Sequence, residues 1–155
     1  MTNNSIRSLD CGDLNRVGHL VETNDMFPAD MLDEMTLPYF SGETGGHRWI
    51  VFDDGTVNGV AYYVPEQLTE GTWNLLLIAV DRTVHGKGIG SALMRFVEND
   101  LANEEVRVLL VETSGIPEFK RTRGFYDMLD YQREARIRDY YSDGDDKVIF
   151  RKRLS

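Results

Sequence analysis

The sequence predicts an α/β protein of the α+β type, with a mixed sheet of about seven strands and helices on both faces. An apolar strand at 72–80, a helical pattern and a second apolar strand at 106–112 form a strand-helix-strand unit, whose strands should run parallel. Alternating segments at 49–64 and 131–154 add antiparallel hairpins to that unit. Two short amphipathic helices precede them.

Length and composition restrict the class of protein. A chain of 155 residues predicts one domain spanning 1–155, and 41% hydrophobic residues exclude a disordered chain. The formal charge of −9 argues against nucleic acid as a partner, and no apolar run is long enough to cross a membrane. Because the N-terminus lacks a signal-peptide pattern and Cys11 is the single cysteine, we expect a cytoplasmic protein.

The first quarter of the chain predicts a short strand at 6–9 and two helices. Asp10 or Asp13 can cap the first helix. Its apolar face has helical spacing: Leu14, Val17, Leu20 and Val21. The second helix should begin near Pro28 and end at Pro38. Its inward face should carry Met31, Leu32, Met35 and Leu37.

The remaining elements follow from changes in hydrophobic period. Strands at 49–52 and 57–64 flank an Asp-Gly turn, and the continuously apolar 72–80 predicts a central strand buried on both faces. The next helix has an apolar face at helical spacing: Ile89, Leu93, Phe96 or Val97, and Leu101. After the strand at 106–112, a helix at 120–129 precedes the last hairpin.

The first strand of that hairpin alternates charged and apolar residues. Arg133, Arg136 and Arg138 should form a solvated face, with Ala135 and Ile137 buried opposite. The acidic turn near 142–146 lacks the ligand pattern of a calcium loop. The three histidines are far apart in sequence, so we expect no metal.

The turn after the central strand is rich in glycine: His85-Gly-Lys-Gly-Ile-Gly90, followed by Ser91. Glycines let backbone N–H groups approach a ligand closely, and a helix that starts there adds a partial positive charge. Lys87 adds a full positive charge, so a diphosphate is the natural ligand. Close packing of strand and helix is the alternative explanation. The spacing fits neither the Walker A loop nor the dinucleotide fingerprint.

Two motifs resemble those of the GCN5-related N-acetyltransferases (GNAT). The segment 79–93 resembles their acyl-CoA loop, Gln/Arg-x-x-Gly-x-Gly/Ala, with His85 at the position of the Gln or Arg. Downstream, Phe125-Tyr-Asp-Met-Leu-Asp-Tyr131 resembles Phe-Tyr-x-x-Leu-Gly-Phe/Tyr, with Asp130 where Gly is usual. Phe119 and Thr122 replace the usual Asn and Ala, so one common pantetheine contact should be absent. The order of elements also matches this family over nearly the whole chain.

The resemblance implies that the two parallel strands splay apart and that acetyl-CoA, the cosubstrate, enters between them. Its diphosphate would lie on the backbone N–H groups of 86–91, and its pantetheine would pair with 78–80 like an added strand. A backbone N–H near Ala79 or Val80 would stabilise the tetrahedral oxygen. The implied cofactor-binding residues are Ile78, Ala79, Val80, His85, Gly86, Lys87, Gly88, Ile89, Gly90 and Ser91.

Tyr126 matches the tyrosine that the family commonly uses as general acid for the departing thiolate. The alternative is an aromatic packing role beside Phe125. The central strand carries no carboxylate, so Glu112, at the end of the second buried strand, is the best candidate for the base, with Glu34 a weaker one.

Glu112 also has an alternative explanation. It would pair with Arg123, or cap a loop through Thr113 and Ser114.

The predicted activity is direct transfer of an acetyl group from acetyl-CoA to a primary amine of a small molecule or protein. Cys11 lies far in sequence from the loop, so a covalent acyl-enzyme has no obvious nucleophile. The resemblance also implies a homodimer. Two other classes stay open: a catalytically silent acyl-CoA sensor, and an interaction domain that binds no CoA.

Overall fold

The computed structural model describes residues 5–42 and 45–155, and within them the chain forms seven strands and four α-helices. The first four residues, weighed above for a signal peptide, lie outside the described residues. The elements are β1 (Ile6–Ser8), α1 (Leu14–Thr23), α2 (Leu32–Phe40), β2 (Arg48–Asp53), β3 (Val57–Pro65), β4 (Thr72–Val80), α3 (Ile89–Ala102), β5 (Val108–Ser114), α4 (Lys120–Met128), β6 (Gln132–Ser142) and β7 (Asp145–Arg153). This is the predicted order of elements.

The strands form one mixed sheet in the order β1-β2-β3-β4-β5-β7-β6. β4 and β5 run parallel and pair 72–75 with 108–111. The β1–β2, β2–β3, β5–β7 and β6–β7 pairs are antiparallel. The predicted strand-helix-strand unit and mixed sheet are therefore confirmed, because α3 connects the two parallel strands.

The chain divides into two compact units, each of which is described by itself. The first comprises Met1–Pro65 and Leu76–Asp100, and the second comprises Glu66–Leu75 and Leu101–Ser155. One boundary lies within β4, between Leu75 and Leu76. The expectation of a single domain stays a prediction.

The core of the first unit is built as the amphipathic pattern of α1 predicts. Val17, Leu20 and Val21 are buried, as the spacing of three and four requires. The rings of Trp49 and Tyr62 stack beside them in this core, with centroids 4.1 Å apart. These aromatic side chains are therefore core residues.

Glycine permits close contact between α3 and β3 in the same unit. A Cβ at Gly59 would lie 2.9 Å from a methyl of Leu93 and 3.0 Å from one of Ile89, both on α3. Such distances are shorter than van der Waals contact allows, so a larger residue here would push the helix away.

The second helix differs from its prediction. Pro38 does not end α2, which continues to Phe40, and Ser41 N–H donates to Leu37 O at 2.9 Å. Pro38 lacks the N–H that would donate to Glu34 O, so α2 continues through the proline with one intrahelical hydrogen bond fewer. Leu37 is 61% exposed and Met31 is also exposed. Leu32 is buried and Met35 is half-buried, as predicted, and Thr36, one helical turn after Leu32, is buried as well.

β4 has the predicted bounds but is not buried on both faces. Leu75, Leu77 and Ala79 are buried, whereas Leu76 on the opposite face is 42% exposed. Ile78 and Val80, on the face of Leu76, are half-buried. The apolar run predicted the strand correctly, but apolar composition alone does not establish that another element covers each face.

The prediction for β6 is wrong in its burial. Every residue of β6 is exposed, including Ile137. β6 is the last strand of the sheet order and pairs with β7. The alternation of charged and apolar residues therefore does not produce one buried face.

Candidate active site

The loop between β4 and α3 contains two glycines that adopt positive φ angles. Gly86 and Gly88 both have φ of +82°, a region that favours glycine. A Cβ added at either position would meet no described atom within 4 Å. At these two positions the glycines therefore serve the backbone conformation and leave open space, so close packing does not explain them.

The backbone N–H groups of 86–91 are the main polar feature of this loop. Across residues 5–42 and 45–155, none of these six groups donates a hydrogen bond to another protein atom. The first internal bond after them runs from Ala92 N–H to Gly88 O at 3.0 Å. The start of α3 adds a partial positive charge, and Lys87 is exposed beside it. An anion with several oxygen acceptors fits this arrangement.

Asp81 holds the start of the loop in place. Its carboxylate accepts hydrogen bonds from the Thr83 N–H at 2.8 Å and the Thr83 hydroxyl at 2.7 Å. Arg16 of α1 donates to the other oxygen at 2.5 Å. The Thr83 hydrogen bonds, with Arg16 after them, hold the pKa of Asp81 well below its usual range. Asp81 therefore stays ionised and ties the loop to α1.

The carbonyl oxygen of Val80, the last residue of β4, accepts two side-chain hydrogen bonds. One comes from a ring nitrogen of His85 at 2.8 Å, and the other from Asn24 Nδ2 at 3.0 Å. The structure thus joins two residues of the predicted cofactor site, Val80 and His85. The His85 side chain contacts the end of β4, so it fixes the first residues of the glycine loop, residues 85–91.

In the second unit, Glu112 lies at the centre of a polar cluster. Its Oε1 accepts a hydrogen bond from Asn74 Nδ2 at 2.8 Å, and its Oε2 forms an ion pair with Lys147 Nζ at 2.9 Å. The same Asn74 nitrogen donates to Glu66 Oε1 at 2.9 Å. We call these four residues, Glu66, Asn74, Glu112 and Lys147, the carboxylate cluster.

Arg123, the alternative partner of Glu112, is bonded elsewhere. Its guanidinium donates to the carbonyl oxygens of Ser114 and Ile116, each at 2.8 Å. It stabilises the backbone after β5, and Lys147 is the cation at Glu112.

Two members of the carboxylate cluster are buried polar residues. Burial opposes the charged form of Lys147, but its hydrogen bonds with Glu112 and Tyr140 outweigh burial and raise its pKa. The Lys147 Nζ also lies 3.8 Å from the centroid of the Tyr140 ring. Asn74 is 2% exposed, and its Oδ1 has no hydrogen-bond partner in the described part of the chain.

Glu66, Asn74 and Lys147 were not predicted from the sequence as site residues. Asn74 had a readable signal, because it is the one amide side chain in the apolar run 72–80. Lys147 and Glu66 carried no comparable signal, since their contacts depend on which strands are neighbours.

Tyr126 lies inside an aromatic cluster of the second unit. It is 2% exposed, and its ring centroid is 5.3 Å from Phe125, 5.3 Å from Phe150 and 5.9 Å from Tyr131. Burial raises the pKa of its phenol above the ordinary value. The phenol therefore stays protonated at neutral pH, which an acid requires and which a packing role also allows.

The remaining candidate residues lie outside the glycine-rich loop, the carboxylate cluster and the aromatic cluster around Tyr126. Glu34 is exposed on α2 and Cys11 is exposed before α1. Among the residues that the structure describes, no group of three or more His, Cys, Asp or Glu side chains has the arrangement of a metal site. No helix in the described ranges is long and apolar enough to cross a membrane.

Comparison with known proteins defines the family. The model of the acetyltransferase (GNAT) family matches residues 16–131, which include the glycine loop, the carboxylate cluster apart from Lys147, and Tyr126. This chain therefore belongs to the GNAT family, and its mixed sheet is the acyl-CoA N-acyltransferase fold. N-acetyl transfer from acetyl-CoA is the general activity of that family.

Individual relatives agree with this assignment. An uncharacterized N-acetyltransferase of Methanocaldococcus jannaschii is 31% identical over 103 residues, which is 64% of this chain and 62% of that protein. The chain thus spans under two thirds of the length of this curated relative. A GNAT-family protein from Desulfovibrio desulfuricans has a solved structure with 32% identity and a TM-score of 0.87, covering 97% of this chain and 98% of that one.

A second solved structure is similar in fold alone. The yncA protein from Salmonella typhimurium, solved with its cofactor acetyl-CoA, is 14% identical, with a TM-score of 0.73. The match covers 97% of this chain and 93% of that one.

Proposed function

We propose that this protein transfers an acetyl group from acetyl-CoA directly to a primary amine. The observation that carries the proposal is the set of six backbone N–H groups at 86–91 that have no partner among the described residues, with Gly86 and Gly88 held at positive φ. Convergent N–H groups at the start of a helix bind phosphate oxygens well. The fold neighbour that contains acetyl-CoA and the family match support this choice of ligand.

The diphosphate of acetyl-CoA would bind to the N–H groups of 86–91, with Lys87 adding charge. The pantetheine arm would pair with the backbone of 78–80, and a backbone N–H near Ala79 or Val80 would donate to the tetrahedral oxygen. The incomplete burial of Ile78 and Val80 supports a ligand on this part of β4. His85 would contribute by fixing the loop to the strand.

Tyr126 and Glu112 are our proposed catalytic residues. The acceptor ammonium loses a proton, which the Glu112 carboxylate takes directly or through water. The amine nitrogen then bonds to the thioester carbonyl carbon, and the C–S bond breaks. The departing thiolate takes the phenolic proton of Tyr126, which then recovers one from the new amide nitrogen. One proton is released overall.

The proposed acceptor is a primary amine on a small molecule or a protein. The chain charge of −9 suits a cationic acceptor better than an anionic one. We further propose that 1–155 acts as one catalytic domain, as a homodimer and in the cytoplasm.

Two measurements on the whole chain test this function. Acetyl-CoA at 100 times its dissociation constant should stabilise the protein by roughly 2.7 kcal/mol in a thermal-shift assay, because it binds only the folded state. A panel of primary amines should then release free CoA thiol, detected with a thiol reagent. Free CoA serves as the ligand control.

The outcomes separate the three functional classes. A thermal shift with amine-dependent thiol release supports the transferase. A shift with no release from any amine contradicts it and leaves the sensor. Absence of any shift with both acetyl-CoA and CoA leaves the interaction domain.

A further inference from the structure

The carboxylate cluster contains two carboxylates that are bonded differently. Both oxygens of Glu112 are in use, one with Asn74 and one with Lys147. In the described ranges of the chain, Glu66 uses Oε1 for Asn74, and its Oε2 accepts no hydrogen bond. With one lysine and two glutamates, the cluster carries one negative charge that no cation balances, and Glu66 is the carboxylate that lacks an ion-pair partner.

Proton transfer to Glu112 would disrupt its surroundings. A neutral Glu112 would leave the ammonium of Lys147, which is 7% exposed, without its counter-ion. A buried charge that loses its partner is strongly destabilising. Glu66 has no such constraint, because a proton on Oε2 leaves the Asn74 hydrogen bond on Oε1 intact.

Asn74 fixes the relation between the two carboxylates. Its Nδ2 donates both hydrogens, one to each glutamate, so the side-chain amide has one acceptable orientation. This orientation leaves Oδ1 buried without a donor, a cost that most buried polar groups avoid. Because Asn74 Oδ1 is fully buried, the unpaired acceptor of the described cluster that an ammonium N–H could use is Glu66 Oε2.

We propose that Glu66 accepts the proton from the acceptor ammonium and that Asn74 and Glu112 are its positioning residues. This inference rests on the proposed function and moves the role of the base from Glu112 to Glu66. The ammonium N–H bond breaks, its electron pair stays on nitrogen, and the proton passes to Glu66 Oε2. The neutral amine then attacks the thioester carbonyl, and Glu66 returns its proton to solvent.

Other titratable groups surround the cluster and must be considered in its pH dependence. They come from β6 and β7: Tyr140, Tyr141 and Asp145. Burial, and then the charge of Glu112, raise the pKa of Tyr141, so this phenol is neutral in the acidic range. Lys147 is charged throughout that range, because its pKa is raised. A loss of rate on acidification is therefore assigned to the carboxylates.

The test is the pH dependence of kcat/KM for the whole chain, with acetyl-CoA and an amine that the panel identifies. Glu66→Gln should lower kcat/KM about 100-fold and abolish the acidic limb, since a general base contributes at least that factor. Glu66→Asp should retain the limb. Glu112→Gln should lower the rate but keep the limb, because the Glu66 carboxylate is still present. Glu70→Gln, on the same segment between β3 and β4, is the control and should behave as wild type.

A further variant changes Asn74, the residue that contacts both glutamates. Asn74→Asp places a third carboxylate beside the other two and should shift the acidic limb to higher pH, because like charges disfavour one another. A limb that stays in place in Asn74→Asp would contradict its assignment to Glu66, because the new carboxylate would lie in direct contact with that residue.

The inference is overturned if Glu66→Gln keeps the wild-type limb and rate, whatever Glu112→Gln does. Retention of the acetyl-CoA thermal shift in Glu66→Gln shows that the variant is folded. If wild type releases no thiol with any amine, the proposed function itself fails, and this inference fails with it.

Discussion

Replacing Gly88 by Asp is expected to weaken acetyl-CoA binding about 100-fold, or roughly 2.7 kcal/mol, because charge-assisted hydrogen bonds contribute about 1.5–3 kcal/mol each. Gly88 has φ of +82°, and a Cβ there would point into open space. Asp tolerates this backbone region better than most residues, so the fold should persist. Its carboxylate would occupy the space in front of the unpaired N–H groups and repel the diphosphate. Isothermal titration of acetyl-CoA measures the change.

Gly144 offers a matched control for this variant. Its φ is +79°, and an added Cβ would likewise meet no described atom within 4 Å. Gly144→Asp introduces the same charge and the same backbone requirement in the β6–β7 turn, so acetyl-CoA binding should not change. Gly88→Asn adds bulk without charge and should weaken binding less. Equal affinities for Gly88→Asp and Gly144→Asp would contradict a diphosphate site at this loop.

Replacing Tyr126 by Phe is expected to lower kcat about 100-fold while the dissociation constant of acetyl-CoA changes less than about twofold, because a general acid acts on the leaving group. Tyr126 is 2% exposed among aromatic rings, and Phe fills the same volume, so the fold should be retained. Steady-state kinetics with the same amine, together with titration of acetyl-CoA, measure both quantities.

The neighbouring Tyr131→Phe variant is the control, because it removes a phenol from the same aromatic cluster. Burial raises the pKa of Tyr126, so the acid form persists as pH rises past the ordinary value of a tyrosine. Deprotonation of Tyr126 should therefore cause no loss of rate between neutral pH and about pH 10. An unchanged kcat in Tyr126→Phe would leave it with the packing role.

Local sequence patterns predicted the helices and strands well where a single local feature, such as a turn, sets the bounds of an element. The hairpin of β2 and β3 forms around Gly55, whose φ is +114°, as the Asp-Gly turn indicated. β5 begins two residues later than predicted, at Val108. The reason is local too: Glu105 adopts φ of +61°, and Val106 N–H donates to Leu101 O at 3.1 Å to close the end of α3.

Burial and side-chain partners were less predictable, because they depend on contacts distant in sequence. The exposed face of β4 at Leu76 and the exposed β6 follow from which elements cover a strand, and alternation does not encode this. The bonds of Asn74 to Glu66 and Glu112 require the register of β4 against β5, where Asn74 is opposite Leu110. Glu112 was found as a candidate, but its cation was assigned to the wrong residue.

A crystal structure of the whole chain with CoA would show directly where the diphosphate binds. We expect the diphosphate oxygens to accept hydrogen bonds from the backbone N–H groups of 86–91, with those of Gly86 and Gly88 among them. CoA bound with its diphosphate at any other part of the chain would contradict the assignment of this loop and, with it, the proposed placement of acetyl-CoA.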